Sequence, residues 1–215
     1  MAQLTDMTMA AEVAREREDD PPHLARWGTR AAVAAPVLSA FSIVAGIPVF
    51  TDELRDVAGS PRWVIVTGSA LALLLLLGLA LIALYLVHER RLGALGHAGA
   101  LVALAGTVLA AGGAWDSVFT VPYLAEVAPG VLDRATSGPL LAGYVGSYLV
   151  FVAGWAAFAI ATLRARVLAR GTSIALLVGA LLAILPAPTA IRTLVLTVAV
   201  AVACQLRYSA AISHQ

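Results

Sequence analysis

Apolar and polar positions fall into long alternating blocks along the chain. Six apolar segments cover about 31–50, 63–87, 95–121, 139–163, 172–187 and 189–206. A helix that crosses a bilayer needs roughly 20 residues at about 1.5 Å each, and the first four segments supply that length. The last two are shorter and joined only by Pro186, Ala187 and Pro188. They either cross as two helices or turn back as one re-entrant hairpin, and the ban on irregular backbone exposed to lipid favours two crossings. The pattern predicts an all-α integral membrane bundle of six transmembrane helices over 31–208. A cytoplasmic polar tail, 1–30, precedes it and a short cytoplasmic tail, 209–215, follows.

Within the third and fourth segments the small residues are spaced for packing. Gly99, Ala103, Gly106, Ala110 and Gly113 recur at steps of four and three, which places them on one helix face. Gly143, Ser147, Val150, Gly154, Ala157 and Ala161 repeat that spacing in the fourth segment. Smooth faces let membrane helices approach closely and gain dispersion contacts where no hydrophobic effect acts between them. These two segments are predicted to be packed neighbours. One residue along runs an aromatic stripe, Tyr144, Tyr148, Phe151, Trp155 and Phe158, read either as packing or as the wall of a cleft for an amphipathic ligand.

The polar blocks set the ends. Residues 1–30 are mixed in charge and poor in large apolar residues, which suits a solvated tail, and Pro21-Pro22 would stop any helix there. That stretch is too long and too acidic for the start of a cleavable signal peptide. Between segments three and four, Pro122 is expected to open a short surface helix that Pro129-Gly130 closes, its underside formed by Val121, Leu124, Val127 and Ala128. The second and third segments, like the fourth and fifth, turn through arginine-containing loops, "RRLGALG" and "RVLARGT". Any hairpin on that side would look the same, so no internal duplication is inferred.

Composition sharpens the class. The chain of 215 residues is 60% hydrophobic and 13% charged, more apolar surface than a soluble domain of this length could hide. A net charge of +1 with no basic stripe speaks against a nucleic-acid partner. All 14 basic residues are arginine, and alanine is abundant, as a GC-rich genome would encode. Arginines 15, 17, 26, 30, 90, 91, 164, 166, 170 and 207 fall on one side of the bundle, and only 55, 62, 134 and 192 on the other. The positive-inside rule then places both termini in the cytoplasm of a bacterium, with the chain in its plasma membrane. Trp27, Tyr85 and Tyr208 would mark the inner boundary, and Phe50, Trp63, Trp115 and Tyr123 the outer one.

Candidate chemistry gathers at that outer face. Asp116 is expected near the top of the third helix, with Tyr123 and Glu126 in the loop beyond. Arg192, in "PTAIRTLVLTV", is the most unusual residue by position, because a lone arginine at a helix centre would cost about 3 kcal/mol. It is read as snorkelling to the headgroups, as pairing with Asp116, or, third, as binding an anion. Tyr144 and Tyr148 would lend polar ends to an apolar slot. These six residues form the candidate ligand-binding set. Asp52, Glu53 and Asp56 cluster in the first outer loop without the glycine-containing frame of a calcium site, so a solvated loop is favoured. The four histidines, at 23, 88, 97 and 214, lie at or beyond the cytoplasmic boundary, away from any haem position. Cys204 is the only cysteine, so neither an internal disulfide nor a cysteine metal cluster can form. No hydrolase, zinc-protease or phosphate-loop motif is present. No cofactor and no metal is expected.

From "LGALGHAGALVALAGTVLAAGGAWDSVFTVPYLAEVAPGVLD" to "SGPLLAGYVGSYLVFVAGWAAFAIATLRARVL" the chain resembles a family of small multi-pass membrane proteins of GC-rich bacteria. Gly99, Gly106, Trp115, Phe119, Pro122, Leu124, Ala125, Pro129, Gly138, Pro139 and Gly143 carry the resemblance, over about residues 90–170. It implies the architecture and no catalytic residue. The expected function is that of a non-enzymatic membrane protein that binds a membrane partner, another copy of itself or a lipid-like molecule. A small oligomeric secondary transporter and an intramembrane enzyme using Asp116, Tyr123 and Glu126 are the alternatives. A transporter should carry charged or unwound positions near the midplane, and this chain has almost none.

Overall fold

The computed structural model of the chain describes residues 23–50, 57–132, 138–185 and 187–212. The tail before His23, the acidic residues Asp52, Glu53 and Asp56, the loop 133–137, Pro186 and His214 lie outside the described residues. Within them all regular structure is helical. The helices are α1 (His23–Phe50), α2 (Pro61–Val127), α3 (Pro129–Leu132), α4 (Gly138–Ala165), α5 (Arg170–Leu182) and α6 (Thr189–Ile212). Three are long and apolar enough to cross a membrane: α1, over Trp27–Ile47, α2 and α4. α5 has 13 residues, about 20 Å, and falls short of a bilayer core.

The six expected segments map onto these helices with three corrections. Segments 63–87 and 95–121 are two helices as expected, the two limbs of α2, but they meet in a tight turn at Gly93 in place of a longer loop. The chain reverses at Gly93, whose φ of 61° and ψ of −174° lie in a region only glycine occupies readily. Three contacts show that the limbs run antiparallel. Tyr85 and His97 rings meet at 5.6 Å near the reversal, a Cβ on Gly78 would touch Thr107, and the Trp63 indole donates to the Ser117 carbonyl at 2.8 Å farthest away. Each pair steps away from Gly93 on both sides together. Ser60 starts the first limb, its hydroxyl accepting from the Trp63 N–H at 3.2 Å while Pro61 occupies the first turn.

Second, the surface helix expected to open at Pro122 does not form, because α2 continues through that proline to Val127. Proline's φ is already helical, and the single ladder bond it removes lies close to the helix end. Pro129 then opens the four-residue α3 instead of closing a helix. Third, the fifth segment stops at Leu182 and proceeds through turns at 183–185. Its partner α6 begins at Thr189 and continues to Ile212.

Gly93→Ala is expected to destabilise the protein by about 1–3 kcal/mol in thermal unfolding. A Cβ there would meet no atom within 4 Å, so the loss comes from backbone conformation and not from crowding. An unchanged melting temperature would mean that the reversal does not need this geometry.

The helices close into a ring: α1, the two limbs of α2, α4, α5, α6 and back to α1. Ser42 donates to the Val66 carbonyl at 3.5 Å between α1 and the first limb. The Thr162 hydroxyl donates to Ser173 at 3.3 Å between α4 and α5, and Ser39 donates to the Ala190 carbonyl at 2.7 Å between α1 and α6. α5 and α6 pack backbone to backbone, since a Cβ on Gly179 would fall 2.5 Å from the Leu196 nitrogen.

The closest packing joins the second limb of α2 to α4 through the small-residue faces read in the sequence. A Cβ on Gly99 would lie 2.7 Å from the Phe158 nitrogen; one on Gly106 would strike the Phe151 backbone, and one on Gly154 the Ala103 backbone. Next to this seam Phe151, Trp155 and Phe158 are buried in a ladder with ring centroids 6.2–6.3 Å apart. The Trp155 indole, fully enclosed, donates to the Thr107 hydroxyl at 3.1 Å, so its N–H is not stranded.

Candidate functional site: a buried arginine in an aromatic cleft

Because α5 stops early, the first turn of α6 meets α4 directly. Tyr148 and Thr189 share a hydroxyl hydrogen bond of 3.1 Å. Tyr148 lies about 15 Å along α4 from its start at Gly138, so the α5–α6 turn is recessed from the end of the bundle by about that depth. Above the recess a cleft of about 180 Å³ opens, bordered by Ser42 of α1, Trp63, Thr67 and Ala70 of α2, Tyr144 of α4 and Arg192 of α6. A smaller hollow of about 60 Å³ adjoins it across Tyr144 and reaches Gly113 and Ser117.

Arg192 forms one wall, 7% exposed. Its guanidinium carbon lies 3.7 Å from the centroid of the Tyr148 ring and 5.9 Å from that of Tyr144. Nη2 donates to the Tyr144 hydroxyl at 2.9 Å and to the Thr189 hydroxyl at 3.3 Å. Nε is buried with no partner among the described residues. A cation over a desolvated ring face gains about 2 kcal/mol or more, and hydroxyls can accept from it. None of these partners is an anion.

The aromatic stripe therefore divides by height. Phe151, Trp155 and Phe158 are packing, whereas Tyr144 borders both hollows and Tyr148 the smaller one.

No protein-family model, curated protein or solved structure matches the chain.

Of the six candidate residues the fold brings three together: Tyr144, Tyr148 and Arg192. Asp116 is half-buried, Tyr123 is 61% exposed and Glu126 is exposed, and none of the three lines the cleft. Among the described residues no hydrogen bond or ion pair links Asp116 to Arg192, which corrects the expected pair. The arginine does not snorkel either, because it points across the ring of helices onto Tyr148 instead of out along its own. Thr189, Ser42, Trp63 and Thr67 also line the cleft and were not among the six; Trp63 was read only as a boundary marker. Only Thr189 carried a local signal, lying three residues before Arg192 and hence on its face. His88, expected at the boundary, is buried, its Nδ1 held 2.8 Å from the Leu84 carbonyl. Among the described residues no group of three or more His, Cys, Asp or Glu side chains could hold a metal.

Proposed function

We propose that the chain is a non-enzymatic multi-pass protein of a bacterial cytoplasmic membrane that binds a lipid-like amphipathic molecule in the cleft beside Arg192. Six crossings with both termini cytoplasmic fit the arginine distribution, with α5 as a short crossing whose turn into α6 is recessed. The observation that carries the binding reading is the cleft itself, an apolar hollow with hydroxyls and one cation on its wall, the usual make-up of a ligand site.

Depth supports a lipid-like ligand. Gly113, which faces Tyr144, lies about 30 Å of helix from the Gly93 reversal, comparable with the thickness of a hydrocarbon core. With the arginines near Gly93 at one boundary, the cleft falls at the opposite one, where headgroups meet acyl chains. Trp115 and Tyr123, more than half exposed beyond it, suit an interfacial belt. Beside the cleft, Leu140, Leu141 and Tyr144 share one exposed face of α4 on which a tail can lie.

Purification in a mild detergent, followed by mass spectrometry of the extracted small molecules, tests the reading. The wild type should retain close to one amphipathic molecule per chain. Ala70→Phe, which fills the space between the two hollows, should retain several-fold less while melting as the wild type does. Equal recovery from both proteins would place the lipid elsewhere and defeat the proposal.

A further inference from the structure

Arg192 is a buried cation whose partners are all neutral. It stands at the wall of a cleft with its Nε–H unpartnered among the described residues, and no carboxylate among them lines that cleft. Burying an ion is unfavourable unless charge and hydrogen-bonding partners compensate it. The Tyr148 ring and two hydroxyls compensate in part. An oxyanion in the cleft would complete the set, accepting charge-assisted hydrogen bonds where water is largely excluded.

The charge it would carry follows from the lining. Among the described residues Arg192 is the one charged side chain bordering the cleft. A dianionic head would leave net negative charge in an apolar hollow, so a single negative charge is the match. The hollow, at about 180 Å³, is smaller than the site of a whole drug-sized molecule, so it takes a head and the first few carbons. The remainder would lie along the exposed Leu140, Leu141 and Tyr144 face.

We infer that the cleft recognises a monoanionic oxyanion head, a carboxylate or a phosphodiester, through the guanidinium of Arg192. This rests on the cleft binding an amphipathic molecule at all, and adds which head group it selects.

The test is equilibrium binding of tritiated palmitate to the full-length wild-type protein in dodecyl maltoside, with competition by charged and neutral analogues. Palmitate should bind saturably. Hexadecanol should compete about 10- to 100-fold less well than unlabelled palmitate, the range expected for one charge-assisted contact. Diacylglycerol should fall below phosphatidylglycerol by a similar factor. Arg192→Met should lose palmitate affinity by that factor while its hexadecanol affinity is unchanged; should the variant not fold, the wild-type comparison alone decides.

Stronger competition by phosphatidylglycerol than by palmitate assigns the phosphodiester, and the reverse assigns the carboxylate. Butyrate competing as well as palmitate keeps the anion but makes it a soluble one, which removes the tail from the proposed function. Hexadecanol equal to palmitate would overturn recognition of charge and leave an amphipath-binding cleft standing. Absence of binding by every probe would overturn both.

Discussion

Gly154→Leu is expected to lower the stability of the protein by more than about 3 kcal/mol, or to prevent its recovery folded. Even the first added carbon would fall on the backbone of Ala103, and no side-chain rotation can relieve a collision with main-chain atoms. The helices would have to separate, and the loss would extend along the seam from Gly99 to Gly113. In the proposed membrane setting such contacts carry unusual weight, because lipid offers helices no hydrophobic reason to associate and dispersion at close approach must hold them. Gly106→Leu, facing the Phe151 backbone, should behave alike. Leu109→Ala is the control. Its side chain is 48% exposed, and its loss should change stability by about 0.5 kcal/mol or less. Melting curves in detergent for the three variants provide the check, and equal transitions would rule out close packing of α2 on α4.

The second large effect concerns Arg192. In a double-mutant cycle, Arg192→Met and Tyr148→Leu are expected to be non-additive by about 2 kcal/mol, the value of a desolvated cation over a ring face. The 3.7 Å separation and the burial of both side chains put the contact in that regime. The net loss in Arg192→Met alone should be smaller than this coupling, because the variant also removes the unfavourable burial of a charge. Arg192→Met and Asp116→Asn should simply add, within about 0.5 kcal/mol, since the structure shows no bond between them. An ion pair would instead strand the remaining charge and cost about 3–5 kcal/mol in a buried setting. Strong coupling to Asp116 and none to Tyr148 in equilibrium unfolding would reverse the assignment.

Much of the architecture was legible from local pattern. Segment lengths at about 1.5 Å per residue gave the helices, and the four-and-three spacing of Gly99, Ala103 and Gly106 against Val150, Gly154 and Ala157 gave their closest seam. Both are properties of a single helix and need no knowledge of its neighbours. The misplaced boundaries are of a different kind. Whether Pro122 starts a helix or sits near the end of one depends on a single hydrogen bond. The reversal at Gly93 required a conformation that "RRLGALG" permits at either of two glycines.

The site shows the same division. Tyr144 and Tyr148, four residues apart, declare a shared face, and Arg192 declares itself by being charged in an apolar segment. The pairing of Arg192 with Asp116 rested on a charge in an apolar segment seeking a partner near the same face, which says nothing about which way around the ring a side chain points. Position along the chain therefore determined the helices, their small faces and the odd arginine, because helical periodicity is local physics. Tertiary structure decided that α5 ends early, that α6 thereby reaches α4, and that the arginine lies on Tyr148 beside a cleft. Those outcomes depend on the relative heights and rotations of separate helices, which are set by packing between distant segments.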